Sequence, residues 1–398
     1  MLHAVPVADG IDWVGAVDYD VRLFHGYHFS TPRGTTYNAY VVRGAKTALV
    51  DGVHRPFAEE FVERVRAVVP WEQLDYIVVN HLEPDHSGTL PVAIERAPQA
   101  RVLCSGKCAD GLRRYYGIEN VRTVGTGDAL DLGGLTLQFL EARLLHWPDS
   151  MFTYVPERKV LLPNDAFGQH FASSGRFDDE VDLAAVMDEA SKYYANILNP
   201  VGSLVTKKLA EVQQLGLDIE IIAPSHGIIW RTHPAEIVQA YARWAQGVAE
   251  PRVIVAYDTM WGSTERMART LVEGVASEGG EARLYRLPVC DRTAVLRDAI
   301  ESAALLVGTA TINRRMLPTI APFLDDLAGL RPKKTIGFAF GSHGWNGGGV
   351  PQVEAALKEA GVEVVREGLT AVYRPDEKDL VACAEAGREV ARRVRGEA

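Results

Sequence analysis

From residue 252 onward the sequence repeats one pattern, an apolar run short enough for a buried strand followed by an amphipathic stretch of helical period. The runs are RVIVAY, ARLYRL, ALLVGTA, KTIGFAFG and VEVVREGLTA, and the spacing predicts helices over 264–277, 294–301, 317–327, 350–360 and 377–395. Near-continuous apolar strands need cover on both sheet faces, and a parallel sheet with crossover helices supplies it. This part of the chain is therefore expected to form a doubly wound five-stranded parallel sheet, with its ligand edge beyond the carboxyl ends of the strands.

The pattern starts only after Ala249, Glu250 and Pro251, so the 398 residues are expected to divide into a domain over 1–249 and another over 250–398. The first reads as short strands joined by turns. TTYNAYVV, the turn Arg43-Gly44 and KTALVDG make an alternating hairpin, and LDYIVVN is apolar enough to be buried on both faces. Further strands are expected at ARVLCS, LTLQFLEA, FTYVPE, KVLLPND and IEIIAPS, and helices over 56–69, 183–198 and 234–249.

Chemistry gathers where these strands end. LDYIVVN runs straight into HLEPDHSG, which puts His81, Glu83, Asp85 and His86 within six residues, and His146, Asp165 and His226 follow later apolar runs. Four imidazoles and three carboxylates are too many for one ion and suit two metals sharing a carboxylate. Asp165, alone on its loop, is the natural bridge. Imidazole with carboxylate and no thiolate suits iron, manganese or zinc.

Other classes are excluded by charge and composition. Lys plus Arg number 42 against 52 Asp plus Glu, a net charge of -10 that disfavours a nucleic-acid partner. Apolar runs such as AALLVG at 303–308 fall far short of the ~20 residues that span a bilayer, so no membrane association is expected. The start, MLHAVPVADGIDWVG, lacks the basic and apolar regions of a secretory signal, and a cytoplasmic protein is expected. Cys104, Cys108, Cys290 and Cys383 are too few and scattered for a disulfide framework or paired CxxC hooks.

On these residues the first half resembles the metallo-β-lactamase superfamily, whose signature HxHxDH is followed by a distant His, Asp and His. Here Glu83 stands at the second His, giving HxExDH, the form that is similar to flavodiiron proteins. An added anionic oxygen ligand favours the ferric state, which a redox metal visits and a hydrolytic zinc does not. The resemblance implies an αββα sandwich with His81, Glu83 and His146 on one iron, Asp85, His86 and His226 on the other, and Asp165 between them. It also makes His25, Tyr193 and Tyr194 candidate substrate-pocket residues. A zinc-dependent hydrolase fused to a flavodoxin-like domain is the competing reading, and it calls for His where Glu83 stands.

The second half resembles a flavodoxin-like domain. RVIVAY leads into DTMWGSTERMA, where Thr259, Met260, Trp261, Gly262, Ser263 and Thr264 form a hydroxyl-rich loop at a helix N-terminus, suited to the FMN phosphate. It is neither GxGxxG nor GxxxxGK[ST]. GTATINRRMLP, with Thr311, Ile312 and Asn313, and GSHGWNGGG, with Ser342, His343, Gly344, Trp345, Asn346 and Gly347, follow later strands on the same edge, and Trp345 is placed to stack on the flavin ring. The family usually has Pro at Ala310 and Tyr at His343. The resemblance implies reduction of dioxygen to water, of nitric oxide to nitrous oxide, or both. It implies a head-to-tail homodimer, or a dimer of such dimers, and an external electron donor: rubredoxin, a rubredoxin reductase or coenzyme F420. No fused rubredoxin precedes Ala398, so the donor is expected to be a separate molecule.

Overall fold

A computed structural model describes residues 3–26 and 28–397. The chain divides into two compact units, Met1–Tyr194 with Val201–Ala242, and Ala195–Pro200 with Arg243–Ala398.

In the first unit one sheet runs in the order Val5–Ala8, Ile11–Trp13, Tyr40–Arg43, Thr47–Val50, Tyr76–Val79, Arg101–Cys104, Val121–Thr123. A second runs Ala129–Asp131, Thr136–Glu141, Met151–Val155, Val160–Leu162, Ile221–Ile222. The core between them takes one face of each strand: Ala48, Val50 and Val78 from the first, Leu137, Phe139 and Leu162 from the second. Alternation along the strand sends Leu49, Ile77 and Val79 to the opposite face, where Phe61 of helix Ala58–Val68 and Leu90 and Ala93 of helix Leu90–Arg96 join them. The expected hairpin forms between Tyr40–Arg43 and Thr47–Val50, but TTY of the same run leaves it to pair with Ala16–Asp18. IEIIAPS gives only the two-residue strand Ile221–Ile222. The helix expected over 183–198 is regular over Leu183–Tyr193 and then widens into a π-type turn, Tyr194–Leu198.

The second unit is doubly wound. Its parallel sheet has the order Glu281–Arg286, Glu250–Tyr257, Ser302–Ile312, Ile336–His343, and the expected fifth strand is split into Glu363–Val364 and Leu369–Val372, both lying along Ile336–His343. Ile254 and Ala256 pack under helices Arg292–Glu301, Ala321–Leu330 and Gly349–Glu359. Val253, Val255 and Tyr257 pack under Ser263–Ser277 and Glu377–Val394. The last two helices touch backbone to backbone: a Cβ at Gly274 would meet Ala384 O at 2.3 Å, and one at Gly387 would meet Leu271 O at 2.3 Å. Among the described residues no helix is long and apolar enough to cross a membrane.

Candidate metal centre and flavin cleft

Strand Tyr76–Val79 delivers Asn80 and His81 to the sheet edge, and the short helical turn Pro84–Ser87 then folds Glu83, Asp85 and His86 back over it. Pro84 fixes the first position of that turn. His146 comes from the loop after Thr136–Glu141, Asp165 from the loop after Val160–Leu162, and His226 from the loop after Ile221–Ile222. All seven residues singled out in the sequence meet, as two groups: His81, Glu83, His146 and Asp165, and Asp85, His86 and His226.

Asp165 stands between the groups. Its Oδ2 lies 3.2 Å from His146 Nε2 and 3.5 Å from His81 Nε2, while its Oδ1 lies 3.0 Å from His86 Nε2 and 3.6 Å from His226 Nε2. Glu83 Oε2 is 3.3 Å from both His81 and His146, and Asp85 Oδ2 is 3.1 Å from His226. Yet both oxygens of Asp165, Asp85 Oδ1 and His86 Nε2 are buried without a hydrogen bond. Lone pairs that converge without bonding one another, in a buried site, fit cations held between them.

The electrostatics agree. Burial opposes charge on every group here, but the carboxylates outweigh it at the imidazoles: His81 is raised to about 10 by Asp149, Glu83 and Asp165, and His146 to about 10 by Asp165 and Glu83. His86 is likewise raised to about 9 by Asp85 and Asp165. Burial would raise Glu83 too, but His146, His25 and His81 hold it far below the usual carboxylate range.

Sequence reasoning missed the groups that hold these side chains. Asp149 Oδ2 accepts from His81 Nδ1 at 3.0 Å and from Leu82 N at 2.7 Å, and the Thr36 carbonyl accepts from His226 Nδ1 at 2.7 Å. Of the pocket candidates, His25 Nε2 is 3.3 Å from Glu83 Oε1, and the Tyr193 ring lies 6.2 Å from that of His226. The Tyr194 ring instead lies 5.1 Å from Tyr241. Phe24, with its ring 5.6 Å from His226, adds an apolar wall. His170, 5.0 Å from His226 ring to ring, went unremarked in the sequence; burial and the neighbouring His226 keep it neutral.

In the second unit, the loops beyond four strand ends enclose a cleft of ≈ 1060 Å³. Thr259, Met260, Trp261, Gly262, Ser263, Thr311, Ile312, Asn313, Ser342, His343, Gly344, Trp345 and Asn346 all line it. Thr264 and Gly347 do not: Thr264 is one residue into the helix, and its hydroxyl turns inward to Ser342 Oγ at 3.0 Å, while the Cβ direction of Gly347 faces the His343 ring. Gly262 caps the helix in the left-handed region, φ +85°, where a side chain would be strained, and its N–H bonds Thr259 Oγ1 at 3.1 Å. Trp261 and Trp345 flank the cleft almost fully exposed, at 93% and 86%. Arg266 and Arg314, from the two quoted segments DTMWGSTERMA and GTATINRRMLP, also line it and add positive charge, and Arg374, after Leu369–Val372, joins them from outside those segments. A cleft with free aromatic faces, a helix N-terminus and arginines fits a phosphorylated flavin.

Residues 35–227 match a family model described as ODP family beta lactamase, and residues 255–387 match the flavodoxin model. A protein named nitric oxide reductase from Moorella thermoacetica is 52% identical over 397 residues, 99% of this chain and 100% of that protein. The anaerobic nitric oxide reductase flavorubredoxin of Escherichia coli O1:K1 is 40% identical over 98% of this chain and 82% of its own length. Among solved structures, rubredoxin oxygen:oxidoreductase from Desulfovibrio gigas superposes with a TM-score of 0.96 at 34% identity, covering 99% of both chains. The flavodiiron protein from Giardia intestinalis gives 0.96 at 34% identity, covering 100% of this chain and 98% of its own.

Proposed function

The chain belongs to the flavodiiron protein family, and from that premise we propose that it reduces nitric oxide to nitrous oxide at the seven-residue centre, with reduction of dioxygen to water as a second use of the same site. Its cofactors are FMN and a non-haem di-iron pair. The observation that carries the reading is Asp165, which turns one buried oxygen to each group of candidate ligands, with Glu83 where a zinc hydrolase would have His.

Bound there, FMN would hold electrons from an outside donor and the irons would pass them to the gas. The chain's own residues do the rest. His81, Glu83 and His146 would hold one metal, Asp85, His86 and His226 the other, and Asp165 would span both. Phe24 and Tyr193 place aromatic rings 5.6 and 6.2 Å from that of His226, an apolar surround that would favour a small uncharged gas over water. The reduction of two nitric oxide molecules consumes two protons as well as two electrons. His25, with its side chain 31% exposed and Nε2 3.3 Å from Glu83, is placed to carry protons from solvent to the site. A head-to-tail homodimer would bring the flavin of one subunit to the centre of the other, and a rubredoxin-type protein or reduced coenzyme F420 would supply electrons.

Anaerobic turnover with a chemically reduced donor, comparing nitric oxide with dioxygen, tests the reading. Consumption of neither gas by protein holding about one FMN and two irons per chain would sink it, and zinc in place of iron would restore the hydrolase. Trp345→Ala is expected to weaken FMN binding by about 1–3 kcal/mol, the usual cost of a lost aromatic stack, with iron content unchanged. Unaltered flavin retention on dialysis would remove Trp345 from the site.

Metal uptake should depend on pH. The raised His81, His146 and His86 are protonated at pH 7 in the metal-free protein, and ligation needs them neutral. Uptake therefore releases protons, and affinity climbs towards pH 9–10. The sign for stability is opposite. Raised imidazoles stabilise the metal-free fold fully below about pH 6.5, and that contribution is lost as pH rises through 9–10. Proton release in weak buffer and melting curves of the demetallated protein check both.

A further inference from the structure

Three imidazoles of the centre are almost wholly buried, and two are anchored through Nδ1: His81 on Asp149 and His226 on the Thr36 carbonyl. His86 is the exception. It is 1% exposed, its Nε2 faces Asp165 and Asp85, and its Nδ1 has no protein hydrogen-bond partner. A metal-binding imidazole nearly always donates its second ring N–H, because that bond fixes the tautomer and the plane of the ring.

Behind His86 lies a small cavity lined also by Asp51, Thr89, Phe61 and Ala93. It leaves ≈ 10 Å³ for the centre of a water-sized sphere, about what one water needs. The walls are tied together, since Gly52 N donates to His86 O at 2.8 Å and Val53 N donates to Thr89 Oγ1 at 2.9 Å. Asp51 is already the hub of the surrounding loops. Its Oδ1 accepts from the N–H of Asn80, next to His81, at 2.8 Å, and its Oδ2 accepts from the amide of Asn164, next to Asp165, at 3.4 Å. That amide also reaches Ser225 Oγ, next to His226, at 2.9 Å.

We propose that Asp51 is the positioning residue for His86, acting through one buried water that accepts the Nδ1–H of His86 and donates to the Asp51 carboxylate. The chain then anchors His86 as it anchors His81 and His226, and one carboxylate sets the loops of four ligand residues. The proposal rests on the two-metal reading above, and wild-type uptake of two ferrous ions per chain tests that reading separately.

The experiment is anaerobic titration of the demetallated full chain with ferrous iron, for wild type, Asp51→Asn and Ala93→Val, together with a crystal structure of the zinc-loaded wild type. Asp51→Asn keeps the shape but presents a poorer acceptor, and Ala93→Val fills the space of the water while sparing Asp51. Each is expected to weaken at least one of the two ions about tenfold or more with FMN content unchanged, and Ala93→Val, which spares the hydrogen bonds of Asp51, is expected to leave the other ion at wild-type affinity. Density should show one water within hydrogen-bond distance of His86 Nδ1 and the Asp51 carboxylate. Wild-type uptake of both ions by either folded variant, or a cavity without that water, overturns the proposal. If Asp51→Asn fails to fold, Ala93→Val and the density decide.

Discussion

Asp165→Ala is expected to abolish gas reduction while FMN stays bound. Asp165 is 1% exposed and its two oxygens face different groups of imidazoles, so no neighbour can take over both contacts. Removing a residue that only orients a metal ligand usually costs about 10–100-fold, and loss of the carboxylate proposed to be shared by both metals should exceed the upper end of that range. The charge balance changes as well. Asp165 helps hold protons on His81, His86 and His146, and without it these imidazoles repel one another with less compensation. The cleft proposed for FMN lies wholly in the other unit, so the yellow colour and FMN content should match wild type. Iron per chain, flavin absorbance and nitric oxide consumption on one preparation check the expectation. Substantial turnover in this variant would remove Asp165 as the bridge.

The contrast between Asp165 and its supporting residues shows which parts of the site a sequence displays. HLEPDHSG is legible because one strand and one turn present four side chains from adjacent positions. The second unit is legible for a related reason: its central strands Glu250–Tyr257, Ser302–Ile312 and Ile336–His343 are buried on both faces and read as apolar runs. Asp51, Asn80 and Asn164 look like ordinary turn residues. Their role lies in hydrogen bonds between segments 29 and 113 residues apart, which no local pattern encodes. Arg314 and Arg374 meet at the flavin cleft only because Ser302–Ile312 and Leu369–Val372 end on one edge. Tyr193 and Tyr194 are adjacent in sequence, yet the helical rotation between neighbours directs one towards His226 and the other towards Tyr241. Val5–Ala8 is only four residues long and carries Pro6, so it does not stand out from a loop.

Asp149 offers the second large effect, and it separates geometry from charge. One oxygen, Oδ2, accepts both the Nδ1–H of His81 and the N–H of Leu82, with all three residues buried. Asp149→Ala strips both donors of their acceptor. The cost should be about 1–3 kcal/mol in the stability of the metal-free protein. Iron affinity should fall about 10–100-fold, because His81 can then rotate or adopt the tautomer with its proton on Nε2. Asp149→Asn is the informative partner. An amide oxygen in the position of Oδ2 can still accept from both donors, so geometry survives while the charge that raises His81 is removed. If hydrogen-bond geometry dominates, Asn should remain within about tenfold of wild type in iron affinity and clearly above Ala. If charge dominates, the two variants should be equally impaired. Ferrous titration of both, with melting curves of the metal-free proteins, distinguishes these outcomes, and wild-type iron affinity in Asp149→Ala would remove Asp149 from the support of the centre.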